Sequence, residues 1–507
     1  MNKRIARIGL VVIAIATMAF AALSPIASQP LAPQGVKITI LHTNDVHARI
    51  VASKTEIGYS KIATAFAEMK AANPNTLLVD VGDTFHGLPI ANIDQGASVV
   101  KLMNEMGYSF MTTGNHDYNY GIDRLLELNR MAKFQILAAN VYKGGKRVFA
   151  PYSIQNIQGV RVAFFGLATP ETAYKTDPKG IEGVTFGDPI TEAKAIVAEL
   201  ANKYDVLVLL SHLGIDKSSD PTSIQLAAAV PEIDVIIDGH SHSELAGIQK
   251  ENTTKTLIAS TGAYGVGFGV VDILVGNNHS LMSKSARTVT VANAPDLKAD
   301  PKIEAMVTSL SKAQDAVLLQ VVAKTSIALE GKREIVRTQQ SNLGTLIANG
   351  MLYVTGADIA LMNGGGIRDS IPAGNITMKA IYTVMPFGNY IQTGKFKGSE
   401  LKAILENGVG KLPAADGRFP HLAGWTYTLD VSKPAGERVS NILVNGKPVD
   451  LNKDYVLATL NFEFNGGDDY RVLIGHAQND FPSDAEVFIK YAQHIGTINA
   501  DNLVYTK

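Results

Sequence analysis

Residues 36–47 read Val36-Lys37-Ile38-Thr39-Ile40-Leu41-His42-Thr43-Asn44-Asp45-Val46-His47, a β-branched apolar run that breaks into ligand-type side chains. The same pattern returns down the first half of the chain. Thr76–Val81 stops at Gly82-Asp83, Phe110–Thr113 at Gly114-Asn115-His116-Asp117, and Val160–Leu167 at Ala168-Thr169-Pro170. Asp205–Leu210 stops at Ser211-His212, and Ile233–Ile237 at Asp238-Gly239-His240-Ser241-His242. Continuous apolar runs suit strands buried on both faces of a sheet, and Lys61–Lys70 and Thr191–Lys203 read as helices between them. The expected class is α/β, in which ligands collect beyond the carboxyl ends of the strands.

The composition narrows the chemistry. The 507 residues carry 46 Lys+Arg against 47 Asp+Glu, so there is no basic footprint for a nucleic-acid partner. With 46% hydrophobic and 18% charged residues, the chain has the means to bury two or three domain cores. The absence of cysteine excludes disulfides, thiolate metal sites and cysteine nucleophiles together, so any catalysis must use oxygen and nitrogen groups.

The N-terminus reads as an export signal over residues 1–27. Asn2 to Arg7 is a short basic segment, Ile8 to Leu23 an uncharged apolar run, and Ser24-Pro25-Ile26-Ala27-Ser28 supplies small residues for cleavage near Ala27 or near Ala19-Phe20-Ala21. The apolar run is short for a bilayer span of roughly 20 residues. The expectation is an exported, periplasmic or secreted product without stable membrane insertion after cleavage.

Five of the polar clusters combine into one metal-binding pattern: Asp45-x-His47, Gly82-Asp83, Gly114-Asn115-His116, His212, and Gly239-His240-Ser241-His242. Carboxylate oxygens and imidazole nitrogens suit Mn²⁺ and Zn²⁺. Alternate residues leaving a strand point the same way, so both ends of an Asp-x-His or His-x-His can face one cluster. Two ions about 3.5–4 Å apart need a shared ligand, which a carboxylate provides. His42 alternates away from this set and reads as supporting or core. His86, His279, His421, His476 and His494 have no spacing pattern and read as structural or surface residues. Gly265-x-Gly267-x-Gly269 precedes a strand-like stretch instead of a helix, and reads as a loop beside the metal site.

After Asn277-Asn278 the pattern weakens. Asp300-Pro301 reads as an N-cap and first turn of a bridging helix with Ile303, Met306, Val307, Leu310 and Val317 on one face. A second domain then restarts with a helix near Asn342–Leu352 and strands near Ile359–Met362 and Val456–Leu460. It contains Arg333 and Arg337, the run Met362 to Arg368, the turn Met385 to Asn389, and the run Asn461 to Asp468. Arginine forks suit phosphate oxygens, glycine runs admit close ligand approach, and two phenylalanines on turns can hold a flat base.

The five clusters resemble the calcineurin-like metallophosphatase signature, and with the C-terminal stretches the whole mature chain resembles the bacterial exported 5′-nucleotidases. The resemblance implies a four-layer αββα metallophosphatase sandwich over residues 36–295, a linker helix over 296–325, and a C-terminal α/β nucleotide-binding domain over 326–507. It implies two divalent metal ions (Mn, Zn, Mg or Co), with Asp45, His47, Asp83 and His242 at one. Asp83, Asn115, His212 and His240 would hold the other, Asp83 bridging. His116 would stabilise the transition state and assist the leaving oxygen. Its usual aspartate partner three residues on is Asn119 here, a departure shared with cyclic-nucleotide phosphodiesterases. Phe387 and Phe462 would stack the base and Asp468 would bond the ribose. Arg333, Arg337 and Arg368 would hold phosphate or carboxylate oxygens, and Asn363 and Asn389 would make polar contacts. The expected activity is hydrolysis of nucleoside 5′-phosphates, with a hinge closure bringing the two domains' sites together. Its rivals are a 2′,3′-cyclic-nucleotide phosphodiesterase or UDP-sugar hydrolase on the same metals, and a non-catalytic nucleotide-binding protein.

Overall fold

The computed structural model describes residues 35–503 apart from 177, 217–218 and 248–254; the signal-like segment 1–27 lies outside the described residues. The first half builds two six-stranded sheets. In the first, β1 (Gly35–Thr43), β2 (Thr76–Asp80), β3 (Phe110–Met111) and β4 (Gln135–Ile136) run parallel. The second contains β5 (Tyr152–Ile157), β6 (Val160–Ala168), β7 (Val206–His212), β8 (Val235–Ile237), β9 (Glu244–Gly247) and β10 (Leu257–Thr261), of which β6, β7, β8 and β10 are parallel neighbours. The antiparallel hairpin β11 (Gly267–Gly276) and β12 (Leu281–Thr290) returns to the first sheet and pairs with β1.

Side-chain alternation makes the layers. Ile38 and Ile40 of β1 meet Val206, Val208 and Leu210 of β7 in a dry seam between the sheets. Leu41 points the other way, into a core with α1 (Tyr59–Ala72), α2 (Ala97–Met106) and α3 (Ile122–Met131). Leu207 and Leu209 pack outward beneath α4 (Pro189–Glu199) and α5 (Ser223–Ala229). Because both faces of each central strand are covered, the strands read as unbroken apolar runs, and each fully buried Leu or Ile contributes about 1.5–3 kcal/mol. The result is helix, sheet, sheet, helix.

Two local expectations change. Gly267 and Gly269 lie inside β11, not in a loop. Gly269 is where His42 packs: a Cβ there would stand 1.9 Å from the ring nitrogen Nε2. Burial pushes His42 down to about 3, so it is a neutral core residue. The strand expected over Phe110–Thr113 ends at Met111, because Thr113 and Gly114 already turn toward the ligand loops.

The helix α6 (Pro301–Leu318) starts as its sequence indicates, with the Asp300 side chain accepting from the Lys302 and Ile303 amides. Its Ile303 and Val307 enter the core of the first half. The second half is a separate α/β unit around a five-stranded sheet. Its strands are β13 (Ile359–Asn363), β14 (Tyr390–Lys397), β15 (Pro420–Ala423), β16 (Asp454–Leu460) and β17 (Ala477–Ser483), in the order β15-β13-β16-β14-β17. Residues of α7 (Asn342–Thr355), α8 (Met378–Val384) and α10 (Asp484–Ile495) share one core, and α9 (Leu401–Val409) packs in another.

Candidate active site

The clusters after β1, β2, β7 and β8 emerge at the carboxyl ends of two facing sheets, and there they converge. Their backbones bend hard. Asp45, His47, Asp83, His240 and His242 all have positive φ, at 49°, 46°, 56°, 74° and 53°. Aspartate and histidine tolerate this left-handed region better than branched residues do, though each such residue still costs of order 1–3 kcal/mol.

Two ligand groups result: Asp45, His47 and His242, and Asp83, His212 and His240, each with its ligand atoms within 4.8 Å of one another. Asp83 lies between them, with Oδ2 3.8 Å from His47 Nε2 and 3.2 Å from His212 Nε2. Its Oδ1 accepts the His116 amide at 2.8 Å. Burial would raise the Asp83 pKa, but His212 and His116 hold it well below the ordinary carboxylate range. His212 donates from Nδ1 to the Val81 carbonyl at 2.6 Å, which leaves Nε2 facing Asp83 and Asp45. Burial opposes charge on that ring, yet the two carboxylates outweigh it and push His212 up to about 10. They ask for positive charge at this point.

His240 and Asn115 fit a metal on independent grounds. Asn115 Nδ2 donates to the Lys175 carbonyl at 2.6 Å, so Oδ1 faces the site. His240 Nε2 donates to Glu171 Oε2 at 2.6 Å, so the bare nitrogen is Nδ1. That lone pair stands 3.0 Å from the Asn115 oxygen. Two acceptors this close suit adjacent ligands of one cation, and burial lowers the His240 pKa, which disfavours a proton in that role.

Three supporting residues carried no sequence signal. Glu171 is 3% exposed and also accepts from Lys175 and Tyr174. Burial alone would raise its pKa, but His240 and Lys175 bring it down to about 2. Asp80 accepts from Gly82 N, Thr43 Oγ1 and Thr84 Oγ1, bracing the turn into Asp83. His86 lies against Asn119, with its Nδ1 3.1 Å from Asn119 Nδ2, where isolated reading made it structural or surface. Asp117, within the quoted cluster, accepts the backbone amides of Asp83, Thr84, Phe85 and Gly114 and so ties two ligand loops together.

His116 lines the same cavity of about 760 Å³ as Asp83, Asn115, His240 and His242, together with Tyr390 and Gln392 of the second half. Asn119 does sit against it, with Nδ2 3.1 Å from His116 Nδ1.

A second cavity of about 440 Å³ gathers Arg337, Asn363, Arg368, Phe387, Asn389, Phe462 and Asp468. Arg333 is not among its lining residues but is near enough to help lower the Arg337 pKa, after burial. Phe387 and Phe462 are 47% and 40% exposed, so neither is a core residue. Phe462 lies flat over Gly467, where a Cβ would come within 2.5 Å of its ring. Arg368 stacks on Phe387, and Asn363 Nδ2 donates to Asp468 Oδ2 at 2.7 Å.

Comparison with known proteins agrees with this geometry. The family model for calcineurin-like phosphoesterases matches residues 38–244, and that for the 5′-nucleotidase C-terminal domain matches residues 321–474. A 5′-nucleotidase of Vibrio cholerae is 31% identical over 94% of this chain and 94% of its own length. Among solved structures, the 5′-nucleotidase precursor of Thermus thermophilus is 32% identical, covering 91% of this chain and 97% of its own, with a TM-score of 0.57. The NAD nucleotidase of Haemophilus influenzae, 23% identical, shares the fold over 94% of this chain and 98% of its own with a TM-score of 0.74. With two metal-ligand groups at the sheet ends and both family domains in order, the chain belongs to the bacterial 5′-nucleotidase family and is a metal-dependent phosphoesterase acting on nucleotide-like substrates.

Proposed function

We propose that this protein is an exported 5′-nucleotidase that hydrolyses nucleoside 5′-phosphates to nucleoside and inorganic phosphate. The observation that carries the reading is the pair of half-exposed rings, Phe387 and Phe462, lining one cavity with Arg337, Arg368, Asn363 and Asp468. Half-exposed aromatic rings beside arginine forks suit a flat base with an anionic tail. The relatives named 5′-nucleotidase support the same substrate class.

Asp45, His47, Asp83 and His242 would hold one divalent ion, and Asp83, Asn115, His212 and His240 the other. Bound there, the two ions would supply Lewis-acid activation of a water and electrostatic pull on the phosphoryl oxygens. Asp83 fixes the spacing of the two groups. Glu171 holds His240 so that Nδ1 faces inward. His116 presents its remaining ring nitrogen, Nε2, to the phosphoryl group, while the phenylalanines orient the base. The export assignment rests on the basic-then-apolar segment at residues 2–23, and among the described residues no helix is long and apolar enough to cross a membrane.

Asn119 beside His116 favours one second reading, a cyclic-nucleotide diesterase or UDP-sugar hydrolase on the same metals. The test is a product-resolved panel, reading inorganic phosphate, nucleoside and nucleoside monophosphate separately, of nucleoside 5′-monophosphates, cyclic nucleotides, UDP-glucose and nitrophenyl phosphate, with metal-stripped enzyme reloaded with Mn²⁺, Zn²⁺, Mg²⁺ or Co²⁺. The highest kcat/KM should fall on a 5′-monophosphate; a higher value for the diesters would overturn the proposal.

A further inference from the structure

Asn119 does more than occupy an aspartate's position. Thr176 Oγ1 donates to its Oδ1 at 2.6 Å, which turns the amide nitrogen toward two imidazoles. Nδ2 lies 3.1 Å from His116 Nδ1 and 3.1 Å from His86 Nδ1. In this placement the amide NH₂ donates to both Nδ1 atoms, which act as acceptors, and each ring then carries its hydrogen on Nε2. His86 bears this out, because its Nε2 stands 3.2 Å from Glu486 Oε2, an acceptor. The two rings lie nearly parallel, 11° apart with centroids at 6.0 Å. Thr176 is fully buried, and His86 and His116 are each 4% exposed, while Asn119 between them is half-buried. Glu486 comes from the second half of the chain. It is held at the third position of α10 by a capping box with Ser483.

Resting on the function proposed above, we infer that Glu486 and His86 are positioning residues that act through Asn119 to keep His116 in its Nε2–H form, as a neutral hydrogen-bond donor to the phosphoryl group and not a general acid. A neutral imidazole that gave up its Nε2 hydrogen would become an imidazolate, so His116 donates a hydrogen bond and keeps its proton. No bond to that hydrogen breaks in the step. A carboxylate at position 119 would reverse the pattern by demanding N–H from Nδ1, leaving a ring able to release the proton on Nε2. The helix that supplies Glu486 also belongs to the domain with the base cavity, so seating that domain and fixing the tautomer are one event.

The first test reads the rings directly, by nitrogen NMR of ring-labelled histidine in the intact Zn²⁺- or Mg²⁺-loaded chain, with His116→Gln to assign the signal. His116 should show a bare Nδ1 and a protonated Nε2. Glu486→Ala and Thr176→Val should each split or shift that signal. Glu486→Gln, which keeps an acceptor oxygen and a residue fit for the capping box, should restore it. A proton on His116 Nδ1 in the wild type, or ring signals indifferent to both variants, would overturn the inference.

The second test is kinetic. His116→Ala should cost on the order of 10²–10³-fold in kcat, as for a lost transition-state donor, and equally for AMP and for nitrophenyl phosphate. In an Asn119→Asp background the same change should cost more for AMP, the poorer leaving group. A larger loss for AMP already in the wild-type background would equally overturn it. The NMR result requires no substrate, so a panel that found no nucleotide hydrolysis would sink the proposed function and leave the tautomer assignment standing.

Discussion

Replacing Glu171 by glutamine should weaken one metal site and leave the other alone. Glu171 Oε2, itself buried, accepts the His240 Nε2 hydrogen at 2.6 Å and the ammonium of the partly exposed Lys175 at 2.9 Å. An amide oxygen can still accept from His240, so the ring keeps its tautomer. What is lost is the charge that makes the imidazole more basic at Nδ1. A charge-assisted hydrogen bond is worth about 1.5–3 kcal/mol against about 1 for a neutral one. Partners outside the ligand sphere typically change metal affinity 10–100-fold, about 1.4–2.8 kcal/mol. The loss should fall on the site formed by Asp83, His212 and His240, since Glu171 touches none of Asp45, His47 and His242. Calorimetric titration of the stripped enzyme, with metal counted after dialysis at graded free Mn²⁺, should resolve two steps. One should sit at the wild-type position and one 10–100-fold weaker. Equal weakening of both steps, or no change in either, would refute the claim that Glu171 acts through His240.

Removing the shared ligand should be harsher: Asp83→Ala should abolish phosphate release, and near-normal turnover with two bound ions would defeat the two-site assignment. Stacking a base is worth about 1–3 kcal/mol, so Phe387→Ala or Phe462→Ala should raise KM for AMP about five- to 150-fold while barely affecting nitrophenyl phosphate. A flat ratio of kcat/KM for the two substrates would count against the clamp. Burial pushes Glu463 from an ordinary 4.5 up to about 8. The folded state therefore holds this proton more tightly than the unfolded one, and the contribution present below about 4.5 is lost as pH rises toward about 8. Glu463→Gln should flatten the fall in Tm between pH 5 and pH 8.5, which a thermal melt series would show; an unchanged slope would mean the carboxyl is ionised throughout.

The two-sheet frame was legible because its strands are covered on both sides and so leave unbroken apolar runs. The ligand residues were legible because each follows such a run directly. What stayed hidden was everything joined by folding alone. Glu171 reaches His240 across 69 residues and His86 reaches Glu486 across 400. No local spacing records such pairs, and a lone histidine or glutamate reads as surface. Gly269 misled for a related reason. Its glycine serves a neighbouring strand's imidazole, His42, and not a turn in its own segment. The phenylalanines needed the family resemblance, because one ring on a turn looks the same whether it will be buried or left open.

The left-handed backbone at Asp45, His47, Asp83, His240 and His242 also bears on how this protein tolerates mutation. A glycine at any of these positions would relax a conformation costing of order 1–3 kcal/mol, a sizeable share of a domain's typical 5–15 kcal/mol. Loss of a ligand therefore need not register as loss of the protein. Variants of His47 or His242, whose side chains hold no backbone amide as those of Asp45 and Asp83 do, should accumulate to full yield and melt no earlier than the parent. A screen that scores abundance or heat resistance would pass them, and would drift toward glycine at the very residues on which turnover depends. Only selection on phosphate release keeps those two side chains in place.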